Sequence, residues 1–167
     1  MFNIEKEKAV CFTGHCPELL NISKKEIKSR LKKAIDEAIE SGFNIFISGM
    51  SIGIDVWAAE IILKKKKSND NIKLVCVLAY KDFGCERGRI HNHRLNRILK
   101  KADFIHFTSF ILTSDCIMRR DHFMADNSSR VIAAYRGLKG STKNLITYAE
   151  NMGLEILNIL CQRNTER

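Results

Sequence analysis

Short apolar runs alternate along this chain with longer stretches whose apolar positions recur every three or four residues. The runs at 9–12, 43–47, 72–79, 103–108, 131–135 and 155–160 have the length and β-branched character of buried strands. Between the first two, Ser23-Lys24-Lys25-Glu26 has the spacing of a capping box. Ile27, Leu31, Ala34, Ile35, Ala38 and Ile39 then line one helical face, and Gly42 supplies a C-terminal stop. Ile54, Trp57, Ala58, Ile61 and Ile62 mark a second helix, and Leu95, Ile98 and Leu99 a third within 87–101. A fourth is expected at about 118–127, after a loop at 109–117. A fifth runs from Ser141 or Thr142 to Gly153, with Leu145, Tyr148, Ala149 and Met152 inward. The strict alternation predicts an α/β, three-layer, Rossmann-like fold: a mostly parallel sheet of about six strands with helices on both faces. No repeat, linker or low-complexity stretch divides residues 1–167, so one domain is expected, with its core at about 9–159 and a fraying polar tail.

Composition changes this picture in one respect. Lys and Arg number 28 against 19 Asp and Glu, a formal charge of +9. That excess admits polyanionic partners, nucleic acid among them, as readily as it describes a solvated lysine-rich surface. The run Lys64-Lys65-Lys66-Lys67 falls where a helix should end, and there it complements the helix dipole. The six cysteines, at 11, 16, 76, 85, 116 and 161, show no Cys-x-x-Cys spacing. Together with an N-terminus lacking an apolar leader, they argue against a disulfide framework and for a cytoplasmic protein. No apolar run approaches the ~20 residues of a membrane span, so no membrane partner is expected. His15 beside Cys16, and His91 and His93 near Cys85, lack the spacing of a metal site, and no metal is expected.

In an open parallel sheet, ligands bind beyond the carboxyl ends of the strands, at the switch point. The loops leaving strands here are Thr13-Gly14-His15, the 48–55 segment Ser-Gly-Met-Ser-Ile-Gly-Ile-Asp, and 137–142, Gly-Leu-Lys-Gly-Ser-Thr. Glycine permits positive φ and close backbone approach, and the N–H groups of a following helix attract an anion. The hydroxyls of Ser48, Ser51, Ser141 and Thr142 can donate to phosphate or cap a helix; helix caps and tight turns account for any one loop equally well. Asp55 can accept from a ribose or simply complement its helix dipole. Arg119 and Arg120, with Arg87 and Arg89, are candidate phosphate grips. None of these loops is a Walker A loop or a full Gly-x-Gly-x-x-Gly fingerprint.

Three segments are similar to one family: Cys11-Phe12-Thr13-Gly14-His15-Cys16-Pro17, the stretch 46–60 around Ser48-Gly49-Met50-Ser51-Ile52-Gly53-Ile54-Asp55, and 124–135 around Asp126-Asn127. They resemble the YpsA-like branch of the SLOG superfamily, which also holds the DNA-processing protein DprA and the LOG phosphoribohydrolases. The resemblance runs in order from about 9 to 159 and implies a Rossmann-like fold. It also implies a non-catalytic binding protein for a nucleotide or nucleotide derivative, ADP-ribose- or NAD-like, acting as a sensor or regulator in stress or cell-division physiology. Gly14, His15, Gly49, Gly53, Asp55, Asp126, Asn127, Gly140 and Thr142 match the family's motifs; with Thr13, Ser48, Ser141 and Arg119 from the residue reading above they make up the expected ligand-binding set, with no catalytic residue. Cys16 stands where the family usually has Arg, and Ser141 where it usually has a second Gly. Two alternatives remain. A LOG-type nucleotide N-glycosidase would need a Pro-Gly-Gly loop followed by an acid, whereas here Lys143-Asn144 follow Thr142. Single-strand DNA binding of the DprA type fits the charge, but aromatics are only 8% and no aromatic–basic stripe offers a stacking platform. Nucleic acid and a second copy of the chain stay open as partners.

Overall fold

The computed structural model describes residues 2–161; the expected fraying of the polar tail falls largely on 162–167, outside them. Six strands, β1 (Ala9–Gly14), β2 (Ile45–Ser48), β3 (Lys73–Leu78), β4 (Phe104–Phe107), β5 (Arg130–Ala134) and β6 (Glu155–Asn158), alternate with five helices. These are α1 (Lys24–Glu40), α2 (Ile54–Lys66), α3 (Arg89–Leu99), α4 (Cys116–Asp126) and α5 (Ser141–Asn151). Every strand pairing is parallel, and the sheet order is β4-β3-β2-β1-β5-β6. The chain thus builds outward from β1 in one direction as far as β4. It then crosses back through α4 to lay β5 on the other side of β1, which puts the switch point between β1 and β5.

Strand alternation sorts the core into two halves. Val10, Phe12, Phe46, Leu74 and Cys76 face α1, α2 and α3, while Ala9, Cys11, Ile47, Val75 and Val131 face α4 and α5. The capping box is half realised. Ser23 Oγ accepts from the Glu26 N–H at 3.1 Å, while the Glu26 carboxylate turns to Arg30 Nε at 2.8 Å. Gly42, at φ +93°, closes α1 with a bond from Phe43 N–H to Ala38 O, as a Schellman motif requires.

Two expectations change. The second strand, expected at 43–47, runs Ile45–Ser48, with Ser48 in register with Cys76. The second helix does not have a single apolar face: residues 54–59 of α2 are all buried, because α2 lies in the middle of its layer between α1 and α3. No helix among the described residues is long and apolar enough to cross a membrane.

Candidate functional site

Parallel strands all end on one edge, so the loops after β1, β2 and β5 share it. The β2–α2 loop is built from its own atoms. Ser48 Oγ donates to Asp55 O (2.9 Å) and accepts from Met50 N–H (3.2 Å), spanning the loop from within. Met50 is buried at φ +58°, a left-handed conformation uncommon for a side chain of its size. Gly53 caps α2 at φ +99°, and a Cβ there would lie 2.9 Å from Pro17 Cγ and Cδ. Asp55, 5% exposed, turns back to accept the Ser51 N–H at 3.3 Å.

Arg120 holds this loop from α4. Its Nε and Nη2 donate to Asp121 Oδ1 at 3.0 and 2.8 Å, and its Nη1 donates to Gly49 O at 3.2 Å and Ser51 Oγ at 2.9 Å. The guanidinium lies 5.6 Å from the centre of the Phe83 ring. A Cβ on Gly49 would sit 3.0 Å from Arg120 Nε, Asp55 Oδ2 and Met124 Sδ, so any larger residue would crowd that pair. One cation thus serves two buried acids. Burial pushes the Asp55 carboxyl up to about 7 against the opposing pull of Arg120 and the Ser51 N–H, and burial likewise raises Asp121. With four N–H bonds already made to protein, Arg120 is a staple for the loop and has little left for a phosphate.

The edge between β1 and β5 is organised differently. His15 N–H donates to Ala134 O at 3.1 Å, which seats its ring beside Tyr135 with centroids 5.2 Å apart. The imidazole is 6% exposed, and Nε2 is buried without a hydrogen-bond partner. Desolvation and the charge of Arg136 lower its pKa, so the ring is neutral at pH 7. Beyond Tyr135 the chain passes Gly137 (φ +82°) to Gly140 (φ +137°), the N-cap of α5, where no side chain caps the helix. The first-turn N–H groups of α5 therefore have no side-chain acceptor. Ser141 is exposed there, Thr142 is buried, and the exposed cations Arg136, Lys139 and Lys143 surround them.

Of the sequence-derived set, Thr13, His15, Gly140, Ser141 and Thr142 lie at the β1 and β5 end of this edge, while Ser48, Gly49, Gly53 and Asp55 form the self-bonded loop. The space at Gly14 is taken: a Cβ would lie 2.3 Å from Ile54 Cγ1, so its bareness admits the start of α2 rather than a ligand. Arg119 is exposed and paired to Asp115 on its own helix at 2.7 Å. Asp126 and Asn127 are not brought to the site at all. α4 runs antiparallel to the strands, so they sit at the opposite edge, where Asp126 accepts from Tyr148 Oη and Asn127 Nδ2 donates to Phe123 O, both at 2.8 Å. Arg120 and Asp121 are the residues missing from that set. The signal was helical spacing: Cys116, Arg120 and Met124 form an inward row that excludes Arg119. Among the described residues, no group of three His, Cys, Asp or Glu could hold a metal ion.

Comparison with known proteins bears on this geometry. The model of one protein family, described as the YspA SLOG family (YpsA), matches residues 10–158. A UPF0398 protein of Bacillus pumilus is 28% identical over 155 residues, covering 86% of this chain and 82% of the relative. One of Macrococcus caseolyticus is 28% identical over 136 residues, covering 77% and 74%. Among solved structures, DNA processing protein A of Streptococcus pneumoniae superposes with a TM-score of 0.62 at 17% identity, over 92% of this chain and 50% of that one. The Helicobacter pylori DNA processing protein A, described for its single-stranded DNA binding mode, gives 0.65 at 15% identity, over 92% and 65%. The chain therefore spans one-half to two-thirds of those DNA-processing proteins, and the likeness to them is one of fold.

Proposed function

Because this chain belongs to the YspA SLOG family, whose model covers residues 10–158, we propose that it binds a nucleotide or nucleotide derivative of the ADP-ribose or NAD kind, without chemistry of its own. The ligand lies across the crevice between the ends of β1 and β5. The observation that carries this reading is the buried, unpartnered Nε2 of neutral His15 at the switch point, on the same edge as the side-chain-free N-terminus of α5. A desolvated nitrogen without a partner is costly, and a polar ligand group can satisfy it. The α5 N–H groups, with Ser141 Oγ, suit the phosphates of the same ligand, and Arg136, Lys139 and Lys143 add positive potential. The two buried acids nearest this edge, Asp55 of the β2–α2 loop and Asp121 of α4, are held around Arg120 and are not free to assist departure of a base.

Isothermal titration with ADP-ribose, NAD and cyclic nucleotides tests the reading. Saturable heat with one of them is expected, weakened at least about tenfold in His15→Ala and in Ser141→Pro, which removes an α5 N–H at a helix position that tolerates proline. Absence of heat with all three ligands would sink the proposal, and release of free adenine from AMP would replace it with an N-glycosidase.

A further inference from the structure

A groove of about 680 Å³ lies at the other end of the molecule, where α2 and α3 finish side by side just before β3 and β4 begin. Its walls carry five cations: Lys64 and Lys66 from α2, Lys67 just after it, Arg97 from α3, and Lys101 just beyond that helix. Leu63 and Ile98 supply apolar floor. Its one acid, Glu60, is occupied by Arg94 at 2.5 and 2.6 Å and approached by Arg97 at 3.8 Å; Lys66 is paired with Asp103. Among the described residues no carboxylate pairs with Lys64, Lys67 or Lys101, and all three are exposed. Carbonyls at the end of α2 offset part of this charge, but that field fades within a turn. The end of α3 adds Arg97, and Lys101 follows just beyond it, so cations from two helix ends share one cleft.

We propose that this groove is a second binding site, which takes the sugar-phosphate backbone of a nucleic acid without reading its bases. Lys64 and its neighbour Lys67, the C-cap of α2, stand on one side, and Arg97 of α3 with Lys101 just past its end on the other; all four line the same groove. Neighbouring helices at about 8–10 Å thus present two rows of cations, a match for a continuous line of phosphates. Among the described residues no aromatic ring lines the groove, so bases have nothing to stack on and binding is indifferent to sequence. A net charge of +9 favours an extended polyanion over a short acidic peptide. The groove is at the sheet edge opposite the β1–β5 crevice, so this inference does not rest on the nucleotide reading.

The test is fluorescence anisotropy of labelled single-stranded and duplex oligonucleotides of scrambled sequences, titrated between 50 and 200 mM salt. The full chain is expected to bind with a steep salt dependence. K64Q/K67Q/K101Q should weaken binding at least about tenfold and flatten the log–log salt slope by about 2–3. K24Q/K25Q/K33Q, which removes the same charge from α1, should change affinity less than about twofold. Melting temperature and mononucleotide titration should be unchanged in both triple variants. Three results would overturn the proposal: no oligonucleotide binding at 50 mM salt, equal loss in the two variants, or displacement by poly-glutamate as efficient as by nucleic acid. The single-strand and duplex arms tell which form of the backbone the groove accepts.

Discussion

The β2–α2 and β5–α5 loops look alike in sequence, each a glycine-rich turn with hydroxyls opening a helix, yet they do opposite things. In the first, every recognisable ligand-binding group has a partner within the protein: Ser48 with Met50 and Asp55, Asp55 with Ser51, and Gly49 O and Ser51 Oγ with Arg120. The second leaves its helix without a side-chain cap and its serine, Lys139 and Lys143 exposed, while Arg136 donates to Leu19 O. The difference comes from α4, whose inward Arg120 reaches the first loop. Glycine and hydroxyl content therefore describes what a backbone is permitted to do; whether it meets a ligand depends on what another element brings to it.

The sharpest way to break the comparison is to remove the staple. Arg120→Met strands two buried acids and should cost about 3–5 kcal/mol in urea unfolding. Ser141→Ala in the open loop should cost less than about 1 kcal/mol; similar losses for the two would erase the distinction. Gly53→Ala comes next. It faces both a positive φ and Pro17 at 2.9 Å, so it should lose more stability than Gly140→Ala, which has nothing within 4 Å and carries backbone strain of about 1–3 kcal/mol alone.

The pH dependence follows from Asp55. Its carboxyl ionises near 7 in the fold and near its ordinary 3.8 when unfolded. Between these values the folded state holds the proton that the unfolded state releases, so this group's contribution to stability declines as pH rises from about 4 to about 7 and is level above. Asp55→Asn should gain on the wild type across that window in parallel denaturation curves; a gap that stays constant from pH 4 to 7 contradicts the assignment. The smallest effect belongs to Arg119→Gln. An exposed pair between the N-cap of α4 and its first turn contributes little, so stability should hardly change and nucleotide affinity should not move. A tenfold loss of affinity would return Arg119 to the site.

The architecture was legible because periodicity is a property of the whole chain. Strand-length apolar runs alternating with three-and-four spacing admit few arrangements other than a parallel sheet between two helix layers. The site was legible only as an edge. Nothing local distinguishes a glycine that bares its backbone to a ligand from Gly14, whose missing Cβ makes way for Ile54, or from Gly49, which makes way for Arg120 and Asp55. Asp126-Asn127 sits in a segment resembling the family, yet an 11-residue helix at about 1.5 Å per residue carries it some 16 Å from the loops. The choice between Arg119 and Arg120 was open to sequence reasoning, since only the latter keeps step with Cys116 and Met124.

The order of the strands has a consequence for how the molecule is made. Val10 meets Phe46 on one side and Arg130 on the other, so during synthesis β1 through β4 can pair while the far edge of β1 still waits for a partner. Until β5 leaves the ribosome, that edge is an open template for wrong strands, and the exposed apolar residues Phe110, Ile111 and Leu112 emerge during the same interval. The chain that ends the wait also carries Arg120 to Gly49 and closes the crevice beside His15. The binding edge is thus among the last parts to be assembled, and any ligand held there favours finished molecules over unfinished ones.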